Sequence, residues 1–252
     1  TPTHDLVQRA DAYMRERLGI NSPWAAIPGQ QAEPYLGCRR NYHVLLTDGG
    51  WNGNERPTSP RNYDGTDRTL PDGTAYRTSS PQTRIYQDVE DYTTIADWAF
   101  KSWADPLQNP ARLQGALRPS AELRNAPATE TFTNRSRGTS TTLEKYWNPR
   151  YNPATWPHMV TFTIGFSNDA LPHTSHTPYG GRYAIAAPSS IVPYGYDGDF
   201  ADYAKGNFQW LAQSRDRGHD MWHAAINGRG QFYAVSKGED LAKAFRQIVQ
   251  QI

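Results

Sequence analysis

The chain has 252 residues, 37% of them apolar, with 26 basic against 25 acidic side chains and a formal net charge of +1. That balance excludes the broad basic field of a nucleic-acid binder, and no apolar run approaches the ~18 residues of a membrane-spanning helix. Eight Trp, fifteen Tyr and eight Phe are too many for a disordered tail, so the 20 Gly and 19 Pro mark long loops within ordered structure. The single cysteine, Cys38, rules out an internal disulfide and any thiolate zinc cage built from this chain alone.

In chain order, Thr1, Pro2 and Asp5 suit the start of a helix whose apolar face is Leu6, Val7, Ala10, Tyr13, Met14 and Leu18, with Gly19 as its stop. Tyr42 to Thr47 reads as a short buried strand that ends in Asp48-Gly49-Gly50. Residues 51–90 lack either period and read as an insertion loop. Tyr92, Ile95, Ala96, Ala99 and Trp103 then mark a second helix. Residues 105–157 read as mostly loop, with a short helix near Leu113 to Leu117. Met159 to Gly165 is a second strand, and 168–200 a third long loop. Helical signals return at Tyr203 to Leu211 and at Asp220 to Ile226, and Gln231 to Val235 is a final strand. Ser236 to Glu239 has the form of a capping box before a closing helix with Leu241, Ala244, Phe245, Ile248, Val249 and Ile252 on one face. Helices alternating with isolated apolar strands predict an α/β domain with a mostly parallel sheet, spanning 1–252.

Several residues are candidates for chemistry. Asp48 stands at the carboxyl end of a strand, where open α/β sheets gather ligands and a carboxylate suits a hard divalent cation. Asp64, Asp67 and Asp72, spaced by glycines, are candidates to ring a Ca2+ ion, as are Asp197 and Asp199, although neither stretch follows the twelve-residue calcium loop and turn chemistry alone explains Asp-Gly. His219-Asp220-Met221-Trp222-His223 places two histidines four apart, a distant likeness to zinc-protease helices, with Asp where those carry Glu. The competing reading of His223 is a buried, hydrogen-bonded histidine beside Trp222. His173 and His176 read as solvated loop residues. Cys38 is either a small buried residue or half of a disulfide with a partner beyond this chain. No Ser-His-Asp set, paired-carboxylate set or phosphate-cradling glycine loop occurs.

The Thr-Pro-Thr helix start, the strand ending in Thr47-Asp48-Gly49 and the strand Thr161 to Phe166 resemble the second half of a von Willebrand factor A domain. Four further segments narrow the likeness: Cys38 to Asn52, Thr94 to Phe100 with Trp103, Asn152 to Phe162, and Asp220 to Gly230. Together they resemble the PilY family of type IV pilus tip-associated adhesins and biogenesis factors, along essentially the whole chain.

The resemblance implies a non-enzymatic role in pilus assembly, adhesion and surface sensing, at the pilus tip on the surface or in the periplasm of a Gram-negative cell. It implies a metal-ion-dependent adhesion site in which Thr1, with Thr3 as the fallback, and Asp48 hold Mg2+, or else Mn2+ or Ca2+. The family's Asp-x-Ser-x-Ser loop, central first strand and C-terminal β-propeller are expected outside this sequence, in the rest of its own polypeptide. Implied partners are minor pilins and a host or surface ligand. The alternative is a metal-dependent hydrolase using His219 and His223.

Overall fold

The computed structural model describes residues 3–48, 58–134, 138–166, 200–212, 217–235 and 237–252. Helix α1 (Thr3–Met14) leads through a turn-rich stretch to strand β1 (Asn41–Thr47). A minimal hairpin, β2 (Arg68–Thr69) and β3 (Ala75–Tyr76), precedes helix α2 (Ile95–Ala104). Helix α3 (Ala121–Asn125) is followed by an antiparallel hairpin, β4 (Thr129–Thr133) and β5 (Ser140–Glu144), then strand β6 (Met159–Phe166). Helices α4 (Ala201–Lys205) and α5 (Arg217–Asn227), strand β7 (Arg229–Val235) and helix α6 (Gly238–Gln251) complete the described chain.

The main sheet has the order β1-β6-β7 and is parallel throughout, with Asn41 opposite Met159 and Thr47 opposite Gly165. All but the last residue of β6 is buried, as its central place requires. Leu45 and Phe232 face a large core shared with α2 and α5. Val160, Phe162, Ile164, Tyr233 and Val235 face the other way, onto Ala244 and Ile248 of α6. A parallel sheet with helices on both faces is the α/β architecture expected from the alternating pattern, and it agrees with a von Willebrand factor A-like fold. β1 is an edge strand of the described sheet. No helix among the described residues is long and apolar enough to cross a membrane.

The two Asn-Gly and Arg-Gly steps after α5 have a steric cause. A Cβ on Gly228 would lie 2.5 Å from Cβ of Thr161, and one on Gly230 would lie 2.1 Å from the Thr161 carbonyl oxygen. Between them Arg229 takes a positive φ of 59°. Only a chain without side chains at both flanks turns from α5 into β7 this close to β6.

Four local expectations differ from the structure. Leu113 to Leu117 is not helical: Gly115 sits at a φ of +80°, and Gln114 pairs with Leu36 as an isolated bridge. The helix in that region is α3, started by the Ser120 side chain on the Leu123 N–H. The β4–β5 hairpin was hidden by its Thr-rich alternation, in which only Phe132, Thr141 and Leu143 are buried. Helix α4 ends at Gly206 in the left-handed region instead of reaching Leu211. Helix α6 has Lys237 at its N-cap with no side-chain cap bond, and Ser236 lies outside the described residues.

Candidate functional site

Two regions hold the candidate residues. At the carboxyl edge of the sheet, Asp48 follows β1, exposed, and its carboxylate accepts from the Thr47 hydroxyl at 3.3 Å. Thr3 opens α1 and is buried. Thr1 lies outside the described residues. A carboxylate and a hydroxyl are the right oxygen chemistry for Mg2+, which keeps several waters and needs only one or two carboxylates. Asp48 belongs to no described group of three or more His, Cys, Asp or Glu side chains within reach of one ion.

The second region is buried and centres on the N-terminus of α2. Thr94 caps that helix: its hydroxyl accepts from the Asp97 N–H, and the Asp97 carboxylate accepts in return from the Thr94 N–H, both at 3.0 Å. Asp220 of α5 accepts from the N–H groups of Ile95 and Ala96, at 3.3 and 3.1 Å, so a second carboxylate stands at the positive end of the helix. The Thr94 hydroxyl donates to Asp88 at 3.0 Å. Asp64 accepts from the Asp88 N–H at 3.2 Å and from the Asn227 side chain at 2.8 Å, while its own N–H donates to Asp97.

The histidine pair divides. His219, His223 and Asn227 follow at helical spacing along α5, a helix buried along its whole length between the sheet and the segments outside it. His219 meets the Tyr203 hydroxyl at 3.3 Å. His223 stacks on Trp210 at 4.6 Å between ring centroids, with Nε2 at 3.0 Å from the Tyr86 carbonyl oxygen and 3.7 Å from Asp64 Oδ2. The two rings thus serve different partners, and His223 has the buried, hydrogen-bonded setting that its neighbour Trp222 suggested. One ligand atom from each of Asp64, Asp88 and His223 lies within 4.8 Å of the others, a group able to hold a metal ion.

Electrostatics here follow burial. Desolvation pushes Asp64 and Asp88 well above the usual carboxylate range, with neighbouring carboxylates adding to it. Asp97 rises to about 6 and Asp220 to about 8, again chiefly by desolvation, opposed by the backbone N–H groups they accept from. Burial drives His223 down to about 3, so its imidazole is neutral.

The remaining candidates separate. Asp67 is exposed and bound to the Thr78 N–H and hydroxyl, both at 2.7 Å. Asp72 accepts from the Thr74 N–H and the Tyr146 hydroxyl. Each of these two does turn or tether chemistry, apart from the buried Asp64. Asp197, Asp199, His173 and His176 lie outside the described residues. Cys38 is exposed and free. Asp88 and Asn227 escaped the sequence reading. The only signal was Asn227 eight residues after His219 on the same helical face; Asp88 sits in an aperiodic stretch that offered none.

No family model matches the chain, and no solved structure matches it. Among curated proteins it is 33% identical over its whole length to the type IV pilus biogenesis factor PilY1 of Pseudomonas aeruginosa strain PAK, covering 19% of that protein. It is 32% identical, again over its whole length, to PilY1 of strain UCBPP-PA14, covering 18%. The chain thus spans about a fifth of the length of the curated relatives it matches. At that identity over its whole length, the chain belongs to the PilY1 family.

Proposed function

We propose that this domain serves type IV pilus biogenesis as a non-enzymatic recognition module, displayed with minor pilins at the pilus tip. The observation that carries the reading is the whole-length relation to one segment of the PilY1 proteins. The finer part is adhesion: a cation at the carboxyl edge of the sheet, held by Asp48 and Thr1, with Thr3 as the fallback, binds a carboxylate of a host or surface ligand. Its support is the exposed Asp48 after a parallel strand, the place where such sheets bind ligands. The 105–157 segment adds a further recognition surface. It walls a cleft of about 550 Å³ with Ser120, Glu122 and Tyr151, over a floor of Tyr42, Val160 and Phe162.

In-frame removal of the domain from the full-length protein tests the first part, read by electron microscopy of surface pili. Loss of piliation is expected, and normal piliation would exclude a role in biogenesis. Asp48→Ala tests the second part. Pili should still assemble while attachment falls, and unchanged attachment would remove Asp48 from the reading.

A further inference from the structure

We propose that Asp64, Asp88 and His223 bind one divalent cation of the zinc or manganese class, which fastens the 58–94 segment to α2 and α5. The inference is independent of the sheet-edge reading.

Three observations carry it. The first is charge. Asp64, Asp88, Asp97 and Asp220 are at most 7% exposed. None of them pairs with a lysine or arginine among the described residues. Four buried acids without a cation carry a large desolvation and repulsion cost, which either protons or a metal ion must offset.

The second is spacing. The 3.7 Å between Asp64 Oδ2 and His223 Nε2 is too long for a hydrogen bond. Two ligands of one tetrahedral ion, each ~2.1 Å from it, stand roughly 3.4 Å apart. The three donor groups gather within 4.8 Å. The imidazole is neutral, as a metal ligand must be. Ligation through Nε2 takes the tautomer with its proton on Nδ1, and the hydrogen bond to the Tyr86 carbonyl is given up.

The third is an orphaned ligand. Asn227 is fully buried, and its amide nitrogen donates to Asp64 Oδ2 at 2.8 Å and to the Ala96 carbonyl at 3.2 Å. Its Oδ1 has no hydrogen-bond partner among the described residues. The two ends of an amide are roughly 2.2 Å apart, which keeps this oxygen within about 5 Å of Asp64 Oδ2. A buried amide oxygen left without a donor beside the acids is a fourth donor for an ion.

The donor set selects the cation. Two carboxylates, an imidazole and an amide oxygen suit Zn2+ or Mn2+, whereas Ca2+ and Mg2+ take oxygen ligands alone. Because the centre is buried, the ion enters as the chain folds, and its binding energy becomes folding energy.

The test refolds the full chain from denaturant, with a chelator and then with one equivalent of ZnCl2 or MnCl2, and reads ion content by native mass spectrometry and stability by thermal melting. One retained ion per chain and a melting temperature raised by several degrees are expected, with affinity at least about tenfold weaker in Asp88→Asn and in His223→Gln. Asp48→Ala should keep the full response. A wild-type chain that retains no ion overturns the proposal. So does a response lost in Asp48→Ala but kept in Asp88→Asn, which would move the ion to the sheet edge. X-ray absorption of the zinc-loaded wild type needs no variant: one imidazole among oxygen ligands is expected, and an all-oxygen or two-imidazole shell would sink the assignment.

Discussion

The sheet and the segments inserted between its strands make opposite contributions to the core. The cluster between the sheet and α6 is mostly aliphatic and small: Val160, Ile164, Val235, Ala244 and Ile248, with Phe162 and Tyr233. The larger core on the other face draws its bulk from outside the sheet. Tyr76, Ile85 and Tyr86 come from the 58–94 segment, Phe132, Trp147 and Trp156 from 105–157, and Tyr203 and Trp210 from the chain before α5. Much of that chain lacks a helix or strand period, yet it buries Tyr76, Tyr86 and Trp210 as deeply as α2 and α5 bury Trp103 and Trp222. Absence of a helix or strand period marks irregular backbone. It does not mark surface.

The comparison breaks first if the inserted aromatics are dispensable. The Tyr86 hydroxyl donates to the Trp147 carbonyl, and its ring packs on Phe100 and Trp147. Trp210 stacks between Tyr203 at 3.9 Å and His223, and donates to the Ile85 carbonyl at 2.9 Å. Tyr86→Ala or Trp210→Ala should cost about 3–5 kcal/mol in urea unfolding. Leu46→Ala, on the sheet but 46% exposed, should stay within about 1 kcal/mol. Similar losses at all three positions would make the inserted layer no more structural than the sheet edge. The same burial shows that residues 58–90 are not a plain surface loop, so shortening that stretch should lower thermal stability along with any effect on adhesion.

A second test stays within the sheet. The Gly230 contact is with backbone, the Thr161 carbonyl, so no flexible side chain can give way. Gly230→Ala should therefore cost about 1–3 kcal/mol by overpacking, whereas Gly73→Ala has open space around it and only a strained φ of +88° to resist it. If both cost the same, the tight seam between β6 and β7 is not what that glycine is for.

The third concerns pH. Asp220 has a folded value near 8 against an ordinary value of 3.8, so the folded state holds a proton that the unfolded chain has lost. That stabilisation is full below about pH 4 and is lost as pH rises through 8. His223, held near 3, works the other way: its contribution is present above pH 6.5 and is lost as pH falls toward 3. Between pH 6.5 and 8 only the carboxylate effect has a slope, so the metal-free chain should lose about 1–2 kcal/mol over that interval. Asp220→Asn should reduce the slope, leaving the part due to Asp64 and Asp88, while keeping an acceptor for one helix N–H. A rise in stability over the same interval would contradict the buried-acid picture.

What could be read from sequence follows from the same contrast. The three parallel strands and α1, α2, α5 and α6 announced themselves because an apolar stripe must repeat at 2.0 or 3.6 residues to face a core. Thr94 with Asp97 was readable in principle as a cap, and Asp48 as a strand-end acid, because both are local. The buried centre was not. Asp64 and Asn227 are 163 residues apart, and Asp88 reaches the group only because Thr94, Glu90 and the chain around them fold the segment back on α2. Asp64 was singled out for its glycine spacing, a reason unrelated to the partners it finally has. Hydrogen-bond networks across long sequence separations leave no periodic trace.

The smallest effect sharpens the contrast most. Asp48 and Asp88 are both aspartates in irregular chain beside a helix or strand end, and sequence alone favours Asp48 as the functional one. Asp88 is buried and accepts from the Glu90 N–H and the Thr94 hydroxyl, so its removal takes an acceptor from a buried N–H, at about 1–3 kcal/mol, and leaves the Thr94 hydroxyl only its longer contact to Asp97 at 3.3 Å. Asp48 is exposed, so the contacts of its carboxylate, that to the Thr47 hydroxyl among them, are made in competition with water. Asp48→Ala should therefore change unfolding stability by no more than about 0.5 kcal/mol in metal-free buffer. If the sheet-edge reading is right, a difference appears only when Mg2+ is added, as a stabilisation present in the wild type and missing in the variant. A loss well above 1 kcal/mol without any cation would mean that Asp48 belongs to the packing of the domain, and the adhesion-type role proposed for it would fall.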